Sequence, residues 1–265
     1  MSKVYATSDW HGCGKVARKV LDYLQPDDIL YFLGDATDRG KDGVEIFLSL
    51  INRPNTFYIK GNHDAMMAEA IPYLYREIED INYYGGNHYA LWYGNGGSVT
   101  GQFFWNMSKP DIFAIKAAVD KMPTELKYKS PKGHTVILEH AGYSPFDIPH
   151  RSHDPLWDRE HFNDNWVMKN DTSEIAKNTY LVHGHTPVQY LKFCYGYAGQ
   201  PPMTLDEFKV KDAWMCGENI DWKPQIIRYC DGHKFDIDMC TIASNRIALL
   251  DLDTFEEIYI DGDKN

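Results

Sequence analysis

Six side chains with oxygen or nitrogen donors lie in short polar segments, each at or just after the end of an apolar run that predicts a strand. They are Asp9, His11, Asp35, Asn62, His140 and His185. Carboxylate, amide and imidazole donors without a thiolate suit two divalent transition ions better than a structural zinc or a calcium cage. Asp35 follows the middle one of the first three predicted strands, so we expect its two oxygens to bridge the metals. One metal would bind Asp9, His11 and Asp35, and the other Asp35, Asn62, His140 and His185.

Two metals held by such a set favour chemistry at phosphorus. When they lie about 3.5–4 Å apart, they can lower the pKa of a shared water and clamp both faces of an in-line displacement. Phosphoryl transfer is the reaction class that this arrangement serves best. We therefore expect a phosphoester hydrolase in which a metal-bridging hydroxide attacks the phosphorus.

The charged turn Gly34–Gly40 supplies two further candidates, and a solvated turn before a helix is the simpler alternative for it. Arg39 offers a planar fork that matches phosphate oxygens. His63 follows the expected ligand Asn62, so it is a candidate general acid for the leaving oxygen. Asp38 could accept a hydrogen bond from His63 and fix its tautomer.

Alternating strand and helix patterns bring these segments together. Strands are predicted at Val4–Thr7, Ile29–Leu33 and Thr56–Ile59, with helices from Lys15 to Leu24 and from about Asp42 to Ile51. This βαβαβ order is typical of a mainly parallel sheet with helices on its faces. The carboxyl ends of such strands share one edge, so the polar segments should converge there.

The rest of the chain is expected to complete a single domain, 1–265, with two insertions. Residues 65–122 have helical patterning around many aromatic residues, which we interpret as the core of a helical insertion rather than a ligand cage. Residues 194–224 predict a loop-rich insertion. Further strands are expected at Glu125–Tyr128, Thr135–Leu138 and Tyr180–Val182. Late strands are expected at Gln225–Tyr229, Lys234–Ile237, Arg246–Leu250 and Glu257–Ile260.

Composition excludes several classes of protein. The 27 basic and 38 acidic residues give a net charge of −11, which argues against nucleic acid as the main partner. Apolar runs are too short to span a membrane, and no N-terminal signal is visible. Five cysteines without C-x-x-C spacing fit free thiols in a reducing cytoplasm. The sequence leaves the oligomeric state open.

Five ordered motifs resemble those of the calcineurin-like metallophosphoesterases. They are Asp9-x-His11-Gly12, Gly34-Asp35-x-x-Asp38-Arg39-Gly40, Gly61-Asn62-His63-Asp64, His140-Ala141-Gly142 and Gly184-His185-Thr186. The branch with this second motif contains serine/threonine protein phosphatases and bacterial symmetrical diadenosine tetraphosphatases. The resemblance implies the same six ligands, His63 with Asp38 as the acid pair, and Arg39 as a phosphate clamp.

Weaker matches extend the resemblance. Trp157-x-Arg159 is similar to a family segment, which makes Arg159 the candidate for a second phosphate arginine, and Asn95-Gly96-Gly97 with Thr100 resembles a family loop near the pocket. The closing strands resemble those of bacterial members, although these usually carry Gly where this chain has Cys240.

The resemblance implies a four-layer α/β-β/α sandwich and two divalent metals, with Mn preferred and Fe or Zn as alternatives. The expected partner is a phosphorylated protein, in the manner of serine/threonine phosphatases, or a small phosphorylated molecule. Asn62 would join Arg39 and Arg159 in binding it. A dinucleoside polyphosphate hydrolase is the nearest alternative, because the ligand set is shared. A catalytically silent metal-binding scaffold is the alternative from another class.

Overall fold

The computed structural model describes residues 2–75, 85–142, 154–159, 177–189 and 223–263. The predicted insertion at 194–224 lies outside these ranges except for its last two residues. The strands in chain order are β1 (Val4–Thr7), β2 (Ile29–Phe32), β3 (Thr56–Tyr58), β4 (Glu125–Lys129), β5 (Thr135–Glu139), β6 (Thr179–His183), β7 (Ile227–Tyr229), β8 (Lys234–Asp236), β9 (Arg246–Asp251) and β10 (Glu257–Asp261). The helices are α1 (Gly14–Tyr23), α2 (Gly43–Asn52), α3 (Asn62–Leu74), α4 (Gly85–Trp92), α5 (Ser98–Phe104), α6 (Lys109–Asp120) and α7 (Thr241–Ser244). A π-helical segment, Tyr93–Gly97, joins α4 to α5 and is kinked at Gly96.

The first sheet contains the predicted parallel strands. β1, β2 and β3 pair side by side, with β2 in the middle, and the antiparallel strands β9 and β10 extend the sheet beyond β1. The βαβαβ order and the central position of β2 are therefore confirmed. The attachment of β9 to β1 was not predicted, because nothing in the local pattern of either strand specifies the other.

The second sheet has the order β4-β5-β6-β8-β7. β5, β6 and β8 run parallel, while β4 and β7 lie antiparallel at the two edges. Every strand predicted after residue 122 is present, with bounds that differ by up to two residues.

One apolar core lies between the two sheets. It contains Val4 and Leu250 from the first sheet and Leu138, Val182 and Phe235 from the second. A second core lies between the first sheet and helices α1, α2, α3 and α6. The mixed α/β architecture with two sheets flanked by helices is thus as predicted.

The aromatic residues beside the first sheet are only partly core. Trp92 and Phe104 are buried, whereas Trp105 is 82% exposed and Tyr93 49% exposed. The core interpretation is wrong for these last two residues. Trp105 directly follows α5, where the chain leaves the packed face of the helix. In the part of the chain that the structure describes, no helix has the length and hydropathy that a membrane span needs.

Candidate active site

All ten predicted site residues belong to the described part of the chain, and most lie at the carboxyl ends of strands. Asp9 and His11 follow β1, Asp35, Asp38 and Arg39 follow β2, and Asn62 and His63 form the first turn of α3 just after β3. His140 follows β5 directly, and His185 follows β6. The two sheets meet here, since the His185 amide, which follows a strand of the second sheet, donates to Asp9 Oδ2 of the first at 3.0 Å.

The first group of donors surrounds the His11 ring. His11 Nε2 lies 3.8 Å from Asp9 Oδ1 and 3.8 Å from Asp35 Oδ2. Its Nδ1 lies 3.0 Å from the Thr37 carbonyl, which can only accept a hydrogen bond, so Nδ1 carries the proton. Burial lowers the pKa of His11 well below its usual value. A neutral ring therefore turns the Nε2 lone pair toward two carboxylates. A cation bound between these three groups would interact favourably with all of them.

The second group repeats this arrangement around Asn62. His140 Nδ1 donates to the Leu33 carbonyl at 2.7 Å, which leaves the Nε2 lone pair 2.8 Å from Asn62 Oδ1 and 3.4 Å from Asp35 Oδ2. His185 Nδ1 lies 3.1 Å from the same amide oxygen, and its Nε2 is buried without a hydrogen-bond partner. Burial lowers the pKa of His140, so this ring too is neutral.

Asp35 belongs to both groups of donors. His11, Asp35 and His63 place one donor atom each within 4.8 Å of one another, and so do Asp9, Asp35 and His140. These clusters share Asp35 but divide the other donors differently from the predicted sets, since His63 accompanies His11 and Asp9 accompanies His140. Burial and the neighbouring Asp9 carboxylate raise the pKa of Asp35 well above its usual value. Nitrogen and oxygen donors without a thiolate, all buried, fit two divalent transition ions.

An imidazole–carboxylate pair lies beside the first group. His63 Nδ1 is 2.8 Å from Asp38 Oδ2, and Arg39 Nη2 is 2.9 Å from His63 Nε2. A guanidinium can only donate, so His63 Nε2 accepts from it and Nδ1 donates to Asp38. Burial is the main cause that lowers the pKa of His63, against the opposing effect of Asp38.

Comparison with models of protein families identifies the family of this chain. The family model that describes a calcineurin-like phosphoesterase matches residues 2–217. The chain belongs to the calcineurin-like phosphoesterase family. Phosphoesterases of this family depend on two metal ions, in agreement with two groups of donors that share Asp35. A comparison with curated protein sequences returned no match.

Solved structures resemble this phosphoesterase in fold. A crystal structure provisionally identified as a diadenosine tetraphosphatase is 16% identical with a TM-score of 0.54, over 100% of this chain and 95% of that one. A hypothetical protein from Pyrococcus horikoshii is 12% identical with a TM-score of 0.49, over 100% of this chain and 90% of that one. A metallophosphoesterase from Sphaerobacter thermophilus is 12% identical with a TM-score of 0.49, over 99% and 88%. At 16% identity the likeness to the first of these structures concerns the fold alone.

Arg159 lies beside the second group of donors, whereas Arg39 contacts His63 beside the first. Its Nε donates to Thr186 Oγ1 at 3.2 Å, next to His185. Its charge helps to lower the pKa of His140 and of His185, although burial is the larger cause for both. Each arginine is thus close to a different group of donors.

His183, two residues before His185, has both ring nitrogens next to other groups than the donors. Its Nε2 lies 2.7 Å from the Tyr229 hydroxyl and its Nδ1 3.0 Å from the Gly184 carbonyl. Burial lowers the pKa of His183 to about 3. His185, rather than His183, is therefore the histidine that faces Asn62.

Left-handed backbone is concentrated at this site. Twelve non-glycine residues of the described chain have positive φ, and half of them are predicted site residues. These six are Asp9, His11, Asp35, Asp38, Arg39 and His185, with φ between 40° and 68°. Such conformations persist only where the surrounding structure enforces them, and they concentrate at functional sites.

Sequence reasoning gave no role to several side chains that hold these loops. Asp64 Oδ2 accepts from the amides of Asp35 at 3.1 Å and Gly61 at 3.0 Å, and its Oδ1 accepts from the Tyr58 hydroxyl at 3.1 Å. Burial raises the pKa of Asp64 to about 7. Trp92 and Thr100 were missed as partners of Asp38. In the sequence, Asp64 stands out only as the last residue of the Gly-Asn-His-Asp motif. Trp92 and Thr100 are indicated only by their closeness to the loop around Gly96.

Proposed function

We propose that this chain is a two-metal phosphomonoesterase that acts on phosphorylated proteins. The position of Asp35 in both groups of donors supports this proposal most directly. Bound at these groups, two divalent ions, Mn before Fe or Zn, would activate a water and neutralise charge on the phosphate.

The side chains of the site divide the remaining work. Arg39, Arg159 and Asn62 bind phosphate oxygens. His63 donates a proton from Nε2 to the leaving oxygen as the bond between that oxygen and phosphorus breaks. The other ring proton stays on Nδ1, in the hydrogen bond to Asp38. Because Arg39 now occupies His63 Nε2, the arginine must turn toward the phosphate before that nitrogen can carry the proton.

A phosphoprotein is the preferred substrate for two reasons. Two arginines and two metal ions match the double charge of a terminal phosphate. The net charge of −11 disfavours long polyanions, including nucleic acid, as partners. We place the enzyme in the cytoplasm, away from membranes.

A dinucleoside polyphosphate is the second candidate substrate. The structure with a TM-score of 0.54 carries a diadenosine tetraphosphatase description, and it supports this alternative through its fold. The ligand set would serve either substrate.

One assay series tests the proposal. The Mn-loaded protein is compared on p-nitrophenyl phosphate, a phosphoserine peptide and diadenosine tetraphosphate. Turnover of the peptide with the higher kcat/KM supports the proposal, and a large preference for the dinucleotide would replace it with the second candidate. Tight metal binding without turnover of any ester would instead indicate a silent scaffold.

A further inference from the structure

The buried carboxylate of Asp38 accepts hydrogen bonds from three different side chains. Besides His63, Trp92 Nε1 lies 3.1 Å from each carboxylate oxygen, and Thr100 Oγ1 lies 2.7 Å from Oδ1. Asp38 itself is 0% exposed. Its position is therefore set by residues far along the chain as well as by its own turn.

The direction of each bond is determined. The Asp38 amide donates to Thr100 Oγ1 at 3.1 Å, so the hydroxyl oxygen accepts there and its own proton is free to point at the carboxylate. An indole N–H can only donate. All three side chains thus donate to Asp38, and the carboxylate has no freedom to rotate away from His63.

The segment between Trp92 and Thr100 is shaped for this contact. A Cβ on Gly97 would lie 2.4 Å from atoms of the Trp92 ring, so the indole can reach Asp38 only past a residue without a side chain. Gly96 has φ of 102°, and its carbonyl accepts the Arg39 amide at 3.0 Å. The kinked segment therefore fastens α4 and α5 to the charged turn.

Packing alone does not account for these contacts. Trp92 packs against Tyr89 and Phe104, which requires an aromatic ring but not an N–H aimed at a carboxylate. The buried hydroxyl of Thr100 requires a hydrogen-bond partner, but that partner need not be the carboxylate that also holds His63. Two independent donors on one carboxylate indicate a role for its orientation.

We propose that Trp92 and Thr100 are positioning residues for proton transfer from His63. They hold Asp38 so that its Oδ2 keeps the Nδ1 proton of His63 and the ring presents Nε2 to the leaving oxygen. The proton on Nε2 moves to that oxygen as its bond to phosphorus breaks, leaving a neutral imidazole that takes a new proton from solvent. This inference rests on the proposed function, because it assigns the acid step to His63.

Leaving groups of different basicity test the proposal. Phenolate needs a proton as it leaves, whereas 2,4-dinitrophenolate does not, so an acid defect should affect only phenyl phosphate. Trp92→Phe and Thr100→Val should each lower kcat for phenyl phosphate on the order of 10-fold, a fraction of the 10²–10⁴ that a general acid supplies. For 2,4-dinitrophenyl phosphate kcat should stay within about twofold in the same variants.

Two control variants separate positioning from general damage. Thr100→Ser keeps the hydroxyl and should retain the wild-type ratio between the two esters. Trp105→Phe changes a tryptophan that is 82% exposed, and it should leave both rates unchanged. Metal content and KM should be the same in all of these proteins. Equal losses on both esters, or no loss on phenyl phosphate, would overturn the proposal.

A measurement on metal-free protein keeps this inference distinct from the proposed function. The exchange of the His63 Nδ1 proton with water, followed by NMR, should be faster in Trp92→Phe and Thr100→Val than in the wild type. If the wild type hydrolyses neither ester, the proposed function is wrong. The exchange rates then test the positioning role of Trp92 and Thr100 by themselves. Equal exchange in all variants would then overturn the positioning role.

Discussion

His63 has a neighbour on each ring nitrogen, and the two neighbours have opposite consequences for its chemistry. Asp38 holds the Nδ1 proton at 2.8 Å, while Arg39 occupies Nε2 at 2.9 Å. The contact with Asp38 is compatible with an acid that donates from Nε2, whereas the contact with Arg39 is not, because a nitrogen that accepts from a guanidinium carries no proton. A dianionic substrate that attracts Arg39 would therefore also release the nitrogen that has to act.

Replacement of His63 tests its assignment as the acid. His63→Asn should lower kcat by roughly 10²–10⁴, the usual contribution of a general acid. Metal content should be preserved, because His63 is not one of the six expected ligands. His88→Asn, which changes an exposed histidine, is the matched control and should leave kcat unchanged. Loss of metal from His63→Asn would mean that His63 is a ligand or a structural residue.

Asp35 and His11 should differ in how much metal their replacement removes. Asp35 lies 3.8 Å from His11 and 3.4 Å from His140, so it contacts donors of both groups. Asp35→Ala should lose both equivalents of metal, whereas His11→Ala should lose one. Elemental analysis after equilibration with Mn measures the stoichiometry. Retention of one equivalent by Asp35→Ala would contradict a bridging carboxylate.

At the scale of elements, two glycines of the Tyr93–Gly97 segment offer a matched comparison. Gly97→Ala would place a methyl group 2.4 Å from the Trp92 ring, while a Cβ on Gly94 has no atom within 4 Å. Gly97→Ala should lower the free energy of unfolding by about 1–3 kcal/mol, as overpacking does. Gly94→Ala should change it little. Urea denaturation of both variants gives the free energies of unfolding. Equal values would mean that the segment rearranges to remove the clash without loss of stability.

The stability of the β9–β10 pairing depends on pH through Asp261, which forms ion pairs with Arg246 and Lys223. Arg246 and Asp261 are directly opposite, and Arg246 Nε lies 2.6 Å from Asp261 Oδ1. The hydrogen bond from Arg246 lowers the pKa of Asp261 from 3.8 to about 2. Lys223 lowers this pKa further, to a smaller extent. Because the folded-state value is the lower one, the ionised Asp261 stabilises the fold above pH 3.8 and loses this effect as pH falls through about 2.

Asp261→Asn measures that contribution. The carboxylate is 43% exposed, so the wild type should exceed the variant in stability at pH 7 by no more than about 1 kcal/mol. The difference between their urea midpoints should shrink as pH falls from 4 toward 2. A difference that stays constant over this range would show that the pair contributes through packing rather than charge.

Across the whole molecule, the features that could be predicted from the sequence are those that depend on local patterns of residues. Asp9 and Asp35 could be found because each is a polar residue placed just after a buried strand. Cys240 was flagged because similar chains carry Gly there, and its φ of 50° explains that preference. Trp92 could not be found, since a buried tryptophan has the same pattern whether or not its N–H points at a carboxylate. The pairing of β9 with β1 is also set by distant segments rather than by local pattern.

The meeting of two sheets at the donor groups has a consequence for the order of folding. Asn62 begins a helix on the first sheet, yet its Oδ1 lies 2.8 Å from His140 and 3.1 Å from His185, both carried by the second. Contacts between residues so far apart in the chain form late, because the intervening loops must close first. In refolding from urea, metal affinity should therefore return with the slowest phase, after most of the helical circular dichroism has recovered. Metal would then act as a reporter of the moment at which the two halves of the protein dock.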